Sequence, residues 1–390
     1  MNETLPNFPA GRDAAADTVE FGHAAASAPP AGEALRLAWS EPPGMIGLSF
    51  KNFLYKIVTF GIYNFWGKTE VRKRIWGAMR INGEPLQYTG TGKEMFLGFL
   101  VILAVLTLPT MLIGFLAAIV LGPQGAQMLN ATISIGFFYL IGVGMHRAIR
   151  YRLSRTLWRG IRGGLAGSAW AYGWTYFWTG IVLILTLGWA SPWRATKLQG
   201  LIVNDMRFGN RPFQFNATSG PLYGPFLALW LSGLAIALAI GFTLYLMMPH
   251  LAPYFGRIVR PGRPPDPSAL FVVLLAVYGV FIAGLLLYGV ISAWYRAQIM
   301  NHFAAHTTFE GARFSAYATG RSLVWLGISN LLLVVFTLGL LAPVAQTRSA
   351  RYFIERLRLT GDANLDQILQ GAAAAGRGEG LAQAFDIDAF

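Results

Sequence analysis

Four long stretches of the chain consist almost entirely of apolar residues and contain no charged side chain. They are Phe96–Leu121, Met128–Met145, Leu222–Met248 and Leu270–Ala293. At a rise of about 1.5 Å per residue, each can cross a hydrocarbon core of about 30 Å. Because backbone N–H and C=O groups find no water in lipid, these stretches must be helical. The sequence therefore predicts an all-α fold, a polytopic transmembrane helical bundle.

The charge composition agrees with a membrane protein. Only 13% of the 390 residues are charged, whereas soluble domains carry about 25%. A net charge of +13 is typical of a membrane protein whose cytoplasmic loops carry extra Lys and Arg, which determine its orientation in the membrane. The basic residues flank apolar stretches and no nucleic-acid-binding signature accompanies them, so no nucleic acid partner is expected. The absence of cysteine excludes disulfides, thiolate metal ligands and cysteine nucleophiles.

The two ends of the chain differ in composition from the middle. Residues 1–43 are rich in Ala, Pro and Gly and contain no basic segment followed by an apolar one, so we predict a disordered tail without a signal peptide. Residues 371–390 are similar and are predicted to form a flexible C-terminal tail. The membrane domain is predicted to cover residues 44–370.

Three shorter apolar stretches, Ile46–Trp66, Trp174–Trp189 and Leu323–Val344, each run into a similar motif, which predicts three internal repeats. Each motif starts with Thr-x-Gly, continues with a Trp in the first two copies, and then becomes basic. Without gaps, the matching residues are Thr59, Thr186 and Thr337; Gly61, Gly188 and Gly339; Trp66 and Trp193, with Val344 in the third copy; Thr69, Thr196 and Thr347; and Arg80, Arg207 and Arg358.

The Thr-[Phe/Leu]-Gly turn, the following Trp, the basic stretch and the closing Gly resemble the YjgN family of bacterial inner-membrane proteins, a domain of unknown function. The resemblance covers roughly residues 44–370. It implies a multi-pass location in the bacterial inner membrane and supplies no biochemical activity. The third copy lacks the Trp, so the resemblance does not imply an equal role for all three.

Two arrangements in the membrane follow from the apolar stretches. If all seven cross, 20 basic residues collect on one side and nine on the other. If only the four long stretches cross and the three repeats are interfacial or re-entrant, 28 of the 31 Lys and Arg share one side. The positive-inside rule favours the second arrangement, with both termini in the cytoplasm. Inverted repeats are common in transporters, which keeps the first arrangement open.

No catalytic motif occurs in the chain, and we expect neither an enzyme nor a bound cofactor or metal. His302, His306 and Glu310 have i, i+4, i+8 spacing and would share one helix face. This spacing could hold a metal, although a solvated polar stripe is the favoured interpretation. The four long stretches contain no Asp or Glu, which disfavours an ion-coupled pump.

Basic clusters are the strongest chemical feature, because each cation near an anionic leaflet contributes about 1 kcal/mol of attraction. We expect membrane lipids as partners, and the sequence is compatible with a homo-oligomer. The leading hypothesis is transport or channelling of a small or anionic solute or of lipid, and the alternative is a non-transporting scaffold or envelope-maintenance protein. The candidate residues for anionic headgroups or solutes are Lys68, Arg72, Lys73, Arg74, Arg150, Arg155 and Arg159.

Overall fold

The computed structural model describes residues 33–34, 36–258, 264, 266–363 and 368. The described residues are mainly helical. The helices are α1 (Met45–Val58), α2 (Asn64–Ala78), α3 (Gly92–Ile102), α4 (Leu108–Val120), α5 (Gly122–Ser154), α6 (Ala169–Leu185), α7 (Ser191–Asp205), α8 (Gly220–Ile258), α9 (Pro267–Ala305), α10 (Gly320–Phe336) and α11 (Ala342–Arg356).

Short strands join these helices. They are β1 (Glu33–Ala34), β2 (Leu37–Trp39), β3 (Met79–Ile81), β4 (Glu84–Pro85), β5 (Gln87–Tyr88), β6 (Thr156–Trp158), β7 (Ile161–Leu165), β8 (Met206–Phe208), β9 (Arg211–Phe215), β10 (Thr307–Phe309), β11 (Ala312–Ala316), β12 (Leu357–Thr360) and β13 (Asp362–Ala363).

Four helical stretches are long and apolar enough to cross a membrane, and they coincide with the four predicted runs. They are Gly92–Val120, which comprises α3 and α4, and the helices α5, α8 and α9. A π-helical turn joins α3 to α4 at Leu103–Thr107, just before Pro109. Because proline lacks an N–H and its ring crowds the carbonyl four residues earlier, a wider turn at this point relieves the clash.

The prediction of four long apolar helices is confirmed, but the fold is not all-α, because short strands join the helices. Eight strands, β5 to β12, pair in chain order in one antiparallel sheet, and β2, β3 and β4 form a second sheet. Each strand has only two to five residues, which is too short for a two-residue hydrophobic alternation to stand out. The strands also lie in the basic segments that close the Thr-x-Gly motifs and in the segments before the second and third short apolar stretches.

The order of the strands determines where the helices leave the sheet. From β5 to β12, a connection made of helices alternates with a tight turn: helices link β5 to β6, β7 to β8, β9 to β10 and β11 to β12. Neighbouring strands run antiparallel, so all the tight turns lie at one end of the strands and all the helical connections lie at the other end. Every helical connection therefore starts and finishes at the same end of the strands.

The eight-stranded sheet curls back on itself around an apolar core. Trp158 on β6 and Ala312 on β11 are 4% and 0% exposed and belong to one cluster, although four strands separate β6 from β11. Side chains from β3, β8 and β12 pack on the same cluster, and β12 lies beside β2. The strands thus form a nearly closed ring, whose interior is filled by Trp158 and its neighbours.

The helices also follow each other around a circuit. α2 packs on α3, α4 on α5, α5 on α6, α6 on α7, α7 on α8, α8 on α9, α9 on α10, α10 on α11, and α11 on α1 and α2. Helices α5 and α6 approach closely at Gly173, where a Cβ would lie 2.5 Å from Val143 Cγ2 and 3.1 Å from the Val143 backbone nitrogen. Glycine at this crossing lets the two backbones touch.

The predicted tails lie mostly outside the described residues. Part of the segment predicted as an N-terminal tail is folded, since β2 (Leu37–Trp39) pairs with β3. The C-terminal segment 371–390 lies wholly outside the described residues.

Candidate functional site

The three Thr-x-Gly motifs form loops with the same backbone conformation. Each loop joins the members of a short helix pair, our name for α1–α2, α6–α7 and α10–α11. The middle residue of each motif has a left-handed φ of 49° to 50°, which is costly for a bulky side chain. The three middle residues are Phe60, Leu187 and Leu338, and the glycines that follow them have φ values of 90°, 87° and 83°.

The threonine of each motif makes two hydrogen bonds that close the loop. Thr186 Oγ1 donates to the Val182 carbonyl at 2.8 Å and accepts the Ala190 N–H at 3.1 Å. Thr59 and Thr337 make the same pair of bonds, at 2.7 and 2.9 Å and at 2.7 and 3.2 Å. The hydroxyl therefore satisfies an N–H group outside the regular helix, where no helical carbonyl is available.

The glycines complete the ends of the first helices. The N–H groups of Gly61, Gly188 and Gly339 each donate to the carbonyl five residues earlier, at 2.8 Å in all three loops. This is the six-to-one bond of a Schellman cap, which needs a left-handed residue. With the threonine bonds, it leaves few backbone groups unpaired at the loop.

Each loop presents an apolar side chain at its tip. Phe60, Leu187 and Leu338 are 97%, 80% and 85% exposed in the isolated chain. Leaving one such side chain in water costs about 1.5–3 kcal/mol relative to burial. Because few backbone groups stay unpaired and the tip is apolar, contact of such a loop with an apolar environment costs less than it would for an open polar loop.

One loop can be placed relative to a long helix. The Leu187 carbonyl accepts a hydrogen bond from Trp230 Nε1 at 3.1 Å. Trp230 is ten residues into α8, which starts at Gly220 and has 39 residues. Ten residues correspond to about 15 Å, so the tip of α6–α7 reaches less than halfway along α8.

The predicted anion-binding residues of α2 do not converge on one pocket. Lys68 and Arg72 lie one turn apart, and Arg72 Nη1 lies 4.0 Å from Met95 Sδ on α3. Lys73 is exposed on a different side of the helix. Arg74 Nη1 donates to the Pro43 carbonyl at 2.6 Å.

The remaining three predicted residues bind other parts of the chain. Arg150 donates to the carbonyls of Ala166, at 3.2 Å, and Gly167 in the loop before α6. Arg155 donates to Glu94 on α3 at 3.0 Å.

Arg159 donates to Glu84 on β4 at 3.0 Å. The contacts of Arg150 and Arg155 join the end of α5 to neighbouring elements, and that of Arg159 joins the β6–β7 turn to β4. They favour a structural role for the three arginines.

The His302, His306 and Glu310 spacing does not produce a shared helix face. Helix α9 ends at Ala305, and Glu310 lies in the β10–β11 turn, 3.8 Å from Arg211. His302 Nε2 is 2.8 Å from the Thr218 carbonyl, and His306 Nδ1 is 2.8 Å from the His302 carbonyl. Within the described residues, no group of three or more metal-ligating side chains comes together.

Two cations on α7 were missing from the predicted site. Arg194 lies 4.4 Å above the Tyr176 ring, and its Nη2 donates to the Tyr176 carbonyl at 3.4 Å. Lys197 Nζ lies 4.7 Å from the Trp178 ring centroid and 5.3 Å from that of Trp193. The i, i+4 spacing of Trp193 and Lys197 was a usable signal for this contact, whereas nothing local links Trp178 to it.

Comparisons with known proteins agree with a membrane location. The profile of a family described as "Bacterial protein of unknown function (DUF898)" matches residues 44–384. The protein named "Inner membrane protein YjgN" of Salmonella typhimurium is 22% identical over 361 residues, which cover 80% of this chain and 87% of the relative. No solved structure matches the chain.

Proposed function

The chain belongs to the DUF898 family of bacterial proteins of unknown function, and from that premise we propose that it moves phospholipids passively between the leaflets of the inner membrane. The observation that carries the proposal is that the tip of the α6–α7 loop ends less than halfway along α8, a helix long and apolar enough to cross a membrane. Of the substrates in the transport hypothesis that we drew from the sequence, a small or anionic solute or lipid, this proposal selects lipid.

The proposed orientation places the sheet in the cytoplasm. The α6–α7 and α10–α11 pairs join neighbouring antiparallel strands of the eight-stranded sheet, and α1–α2 joins β2 to β3 of the second sheet, so each pair returns to the end of the strands from which it starts. If the short pairs are re-entrant, the sequence count assigns 28 of the 31 Lys and Arg to the sheet side of the membrane. The positive-inside rule then makes the sheet side cytoplasmic, together with both termini.

We also propose that the three short helix pairs are copies of one repeat. The identical Thr-x-Gly loops support this, because six hydrogen bonds and three left-handed residues recur at matching positions. The matching arginines likewise occupy exposed strand positions. Arg80 and Arg207 are the middle residues of β3 and β8, and Arg358 is the second residue of β12.

A re-entrant pair changes the lipid beside it. Helix α6 packs on α5, and α7 packs on α8, so α6–α7 separates two membrane-length helices. Where the pair occupies only part of the bilayer depth, lipid of the opposite leaflet must fill the space above Leu187. A shorter lipid column lets the two headgroup layers approach, and mismatch of this kind is relieved by local thinning. Thinning lowers the barrier that a polar headgroup meets when it crosses.

Cations on α7 would assist the headgroup during crossing. Arg194 is seven residues beyond the Leu187 tip and Lys197 is ten, so they lie between the tip and the sheet. Their aromatic contacts hold the charged groups at the membrane boundary, where long cationic side chains reach towards water. We propose that anionic phospholipids are partners and that neither an enzymatic step nor a cofactor is involved.

Lipid exchange in reconstituted vesicles tests the proposal. We expect vesicles that contain the protein to expose fluorescent lipids of both leaflets to external dithionite, whereas protein-free vesicles expose only the outer leaflet. Replacing the three tips together (Phe60→Ser, Leu187→Ser and Leu338→Ser) should slow the exchange, because polar tips lose the apolar transfer energy that holds the loops in lipid.

A matched control removes equally exposed apolar side chains from the long helices. The triple variant Leu238→Ser, Phe242→Ser and Leu285→Ser changes residues of α8 and α9 that are 63% to 70% exposed, and we expect it to exchange lipid at the wild-type rate. Wild-type vesicles in which only outer-leaflet probes are quenched would refute lipid movement and favour the non-transporting scaffold.

A further inference from the structure

A groove lies beside α7, at the level where α8 leaves the sheet. Its walls come from one side of α7, the end of β9 and the segment that leads into α8. The apolar lining includes Leu201, which is exposed, and Phe215, which is buried. The polar lining consists of Thr196, Lys197, Asn204, Asp205, Thr218 and Ser219.

The groove is open at the first residue of α8, Gly220. At the corresponding place in the first short helix pair, a Cβ on Gly92 would lie 2.7 Å from the Trp66 Cα, so α2 and α3 are in direct contact. At Gly320, the first residue of α10, a Cβ would lie 2.8 Å from the Trp294 Cα, so α10 and α9 are also in direct contact there. A Cβ on Gly220 would meet nothing within 4 Å. The second pair is therefore open where these two other helix starts are packed.

Lys197 also differs from its counterparts in the other two pairs. The matching position in the first pair is Glu70, which accepts a hydrogen bond from Lys51 at 3.0 Å. The matching position in the third is Arg348, which donates to Ser329 Oγ at 2.9 Å. Among the described residues, Lys197 contacts two indole rings and no carboxylate lies within ion-pair distance of it.

Two hydroxyls complete the cationic end of the groove. Thr218 and Ser219 make no side-chain hydrogen bond to any described residue, although the Thr218 carbonyl lies 2.8 Å from His302 Nε2. The amide of Asn204 is occupied, because its Oδ1 accepts the Phe215 N–H at 2.7 Å. Asp205 lies eight residues beyond Lys197, about 12 Å along the helix, which leaves the lysine end free of negative charge.

We propose that this groove binds the phosphate group of an anionic ligand through Lys197, Thr218 and Ser219. A compact ammonium and two hydroxyl donors match the acceptor oxygens of a phosphate. The exposed apolar surface of Leu201 beside them suits an acyl chain, so a phospholipid headgroup is the expected source. The lipid source rests on the proposed function, because that function places the groove at the cytoplasmic headgroup layer.

Binding measured without transport tests the site separately from lipid movement. The full-length protein in a neutral detergent would be titrated by calorimetry with dioctanoyl phosphatidylglycerol, with dioctanoyl phosphatidylcholine and with inorganic phosphate. We expect the anionic lipid to bind most tightly. Lys197→Gln should weaken it about tenfold, as expected for the loss of one charge-assisted hydrogen bond. The double variant Thr218→Val and Ser219→Ala should weaken it as well.

Lys93→Gln is the matched control, because Lys93 is an exposed lysine at the start of α3 and does not line the groove. It should bind the anionic lipid as the wild type does. Equal losses in Lys197→Gln and Lys93→Gln would overturn the site in favour of general charge attraction. Tighter binding of inorganic phosphate than of the lipid would overturn the lipid source. Lipid binding that depends on Lys197 in a protein without lipid exchange would keep the site and refute the proposed function.

Discussion

Replacing Thr59, Thr186 and Thr337 together by valine is expected to lower the free energy of unfolding by about 3 kcal/mol or more. Valine keeps the shape of threonine but removes the hydroxyl that accepts the N–H of Tyr63, Ala190 or Leu341. Each N–H that is left unpaired away from water costs about 1–3 kcal/mol. Titration of the protein in mixed micelles with sodium dodecyl sulfate would measure the change.

Thr132→Val is the control for this variant. The Thr132 hydroxyl also donates to the carbonyl four residues earlier, Met128 at 3.0 Å, but no described N–H donates to it. That carbonyl is already bonded within α5, so the loss should be within about 0.5 kcal/mol of zero, as for most surface substitutions. A triple loop variant as stable as Thr132→Val would show that the loop threonines do not hold the short helix pairs together.

Trp158→Ala is expected to cost about 3–5 kcal/mol, the usual loss for a large aromatic residue in a core. Trp158 is 4% exposed and packs inside the ring of strands with Ala312, Phe208 and Leu359. Its removal leaves a cavity shared by strands that are distant in the sequence. We expect proteolysis at the tight turns of the sheet to speed up and the unfolding midpoint in dodecyl sulfate to fall.

Trp325→Ala is the control that distinguishes the effect of lost core packing from the effect of removing a tryptophan at any position. Trp325 lies on α10 and is 71% exposed, so truncation there removes little packing. We expect unchanged proteolysis and a small shift in the unfolding midpoint. If both variants were equally sensitive to protease, the sheet would not depend on the apolar core described here.

The long helices could be predicted because their signal is local. Each needs only about 20 consecutive apolar residues, and the four runs reappear in Gly92–Val120, α5, α8 and α9. The Thr-x-Gly loops could be located for the same reason, since a threonine and a glycine two residues apart determine the cap. The π-helical turn that interrupts the first long helical stretch also has a local cause, because it lies just before Pro109.

The sheet could not be predicted because its pairing is not local. β6 and β5 are separated in the sequence by α3, α4 and α5, yet Tyr88 pairs with Thr156. No pattern within a strand of two or three residues identifies its partner. The matching positions of Arg80, Arg207 and Arg358 were visible in the sequence, but nothing in the sequence indicated that they are exposed strand residues.

The candidate site was predictable only in part. Charge density pointed to Arg150, Arg155 and Arg159, but their partners are set by the fold and include Glu94, which lies 61 residues before Arg155. Lys197 has only Arg194 as a cationic neighbour in the sequence and was overlooked, although the open space at Gly220 makes it the more available cation. A count of charges in the sequence does not distinguish an arginine that is bonded within the chain from a lysine that could bind a ligand.

The central claim is that the short helix pairs enter and leave the membrane on the side of the sheet. A single cysteine at Asn210, in the exposed turn between β8 and β9, tests it directly, because the natural chain has no cysteine. We predict that Asn210→Cys reacts with a membrane-impermeant maleimide only from the cytoplasm, while Gln124→Cys, near the start of α5, reacts only from the periplasm. Labelling of Asn210→Cys from the periplasm would contradict the account, since it would require α6 to cross the membrane.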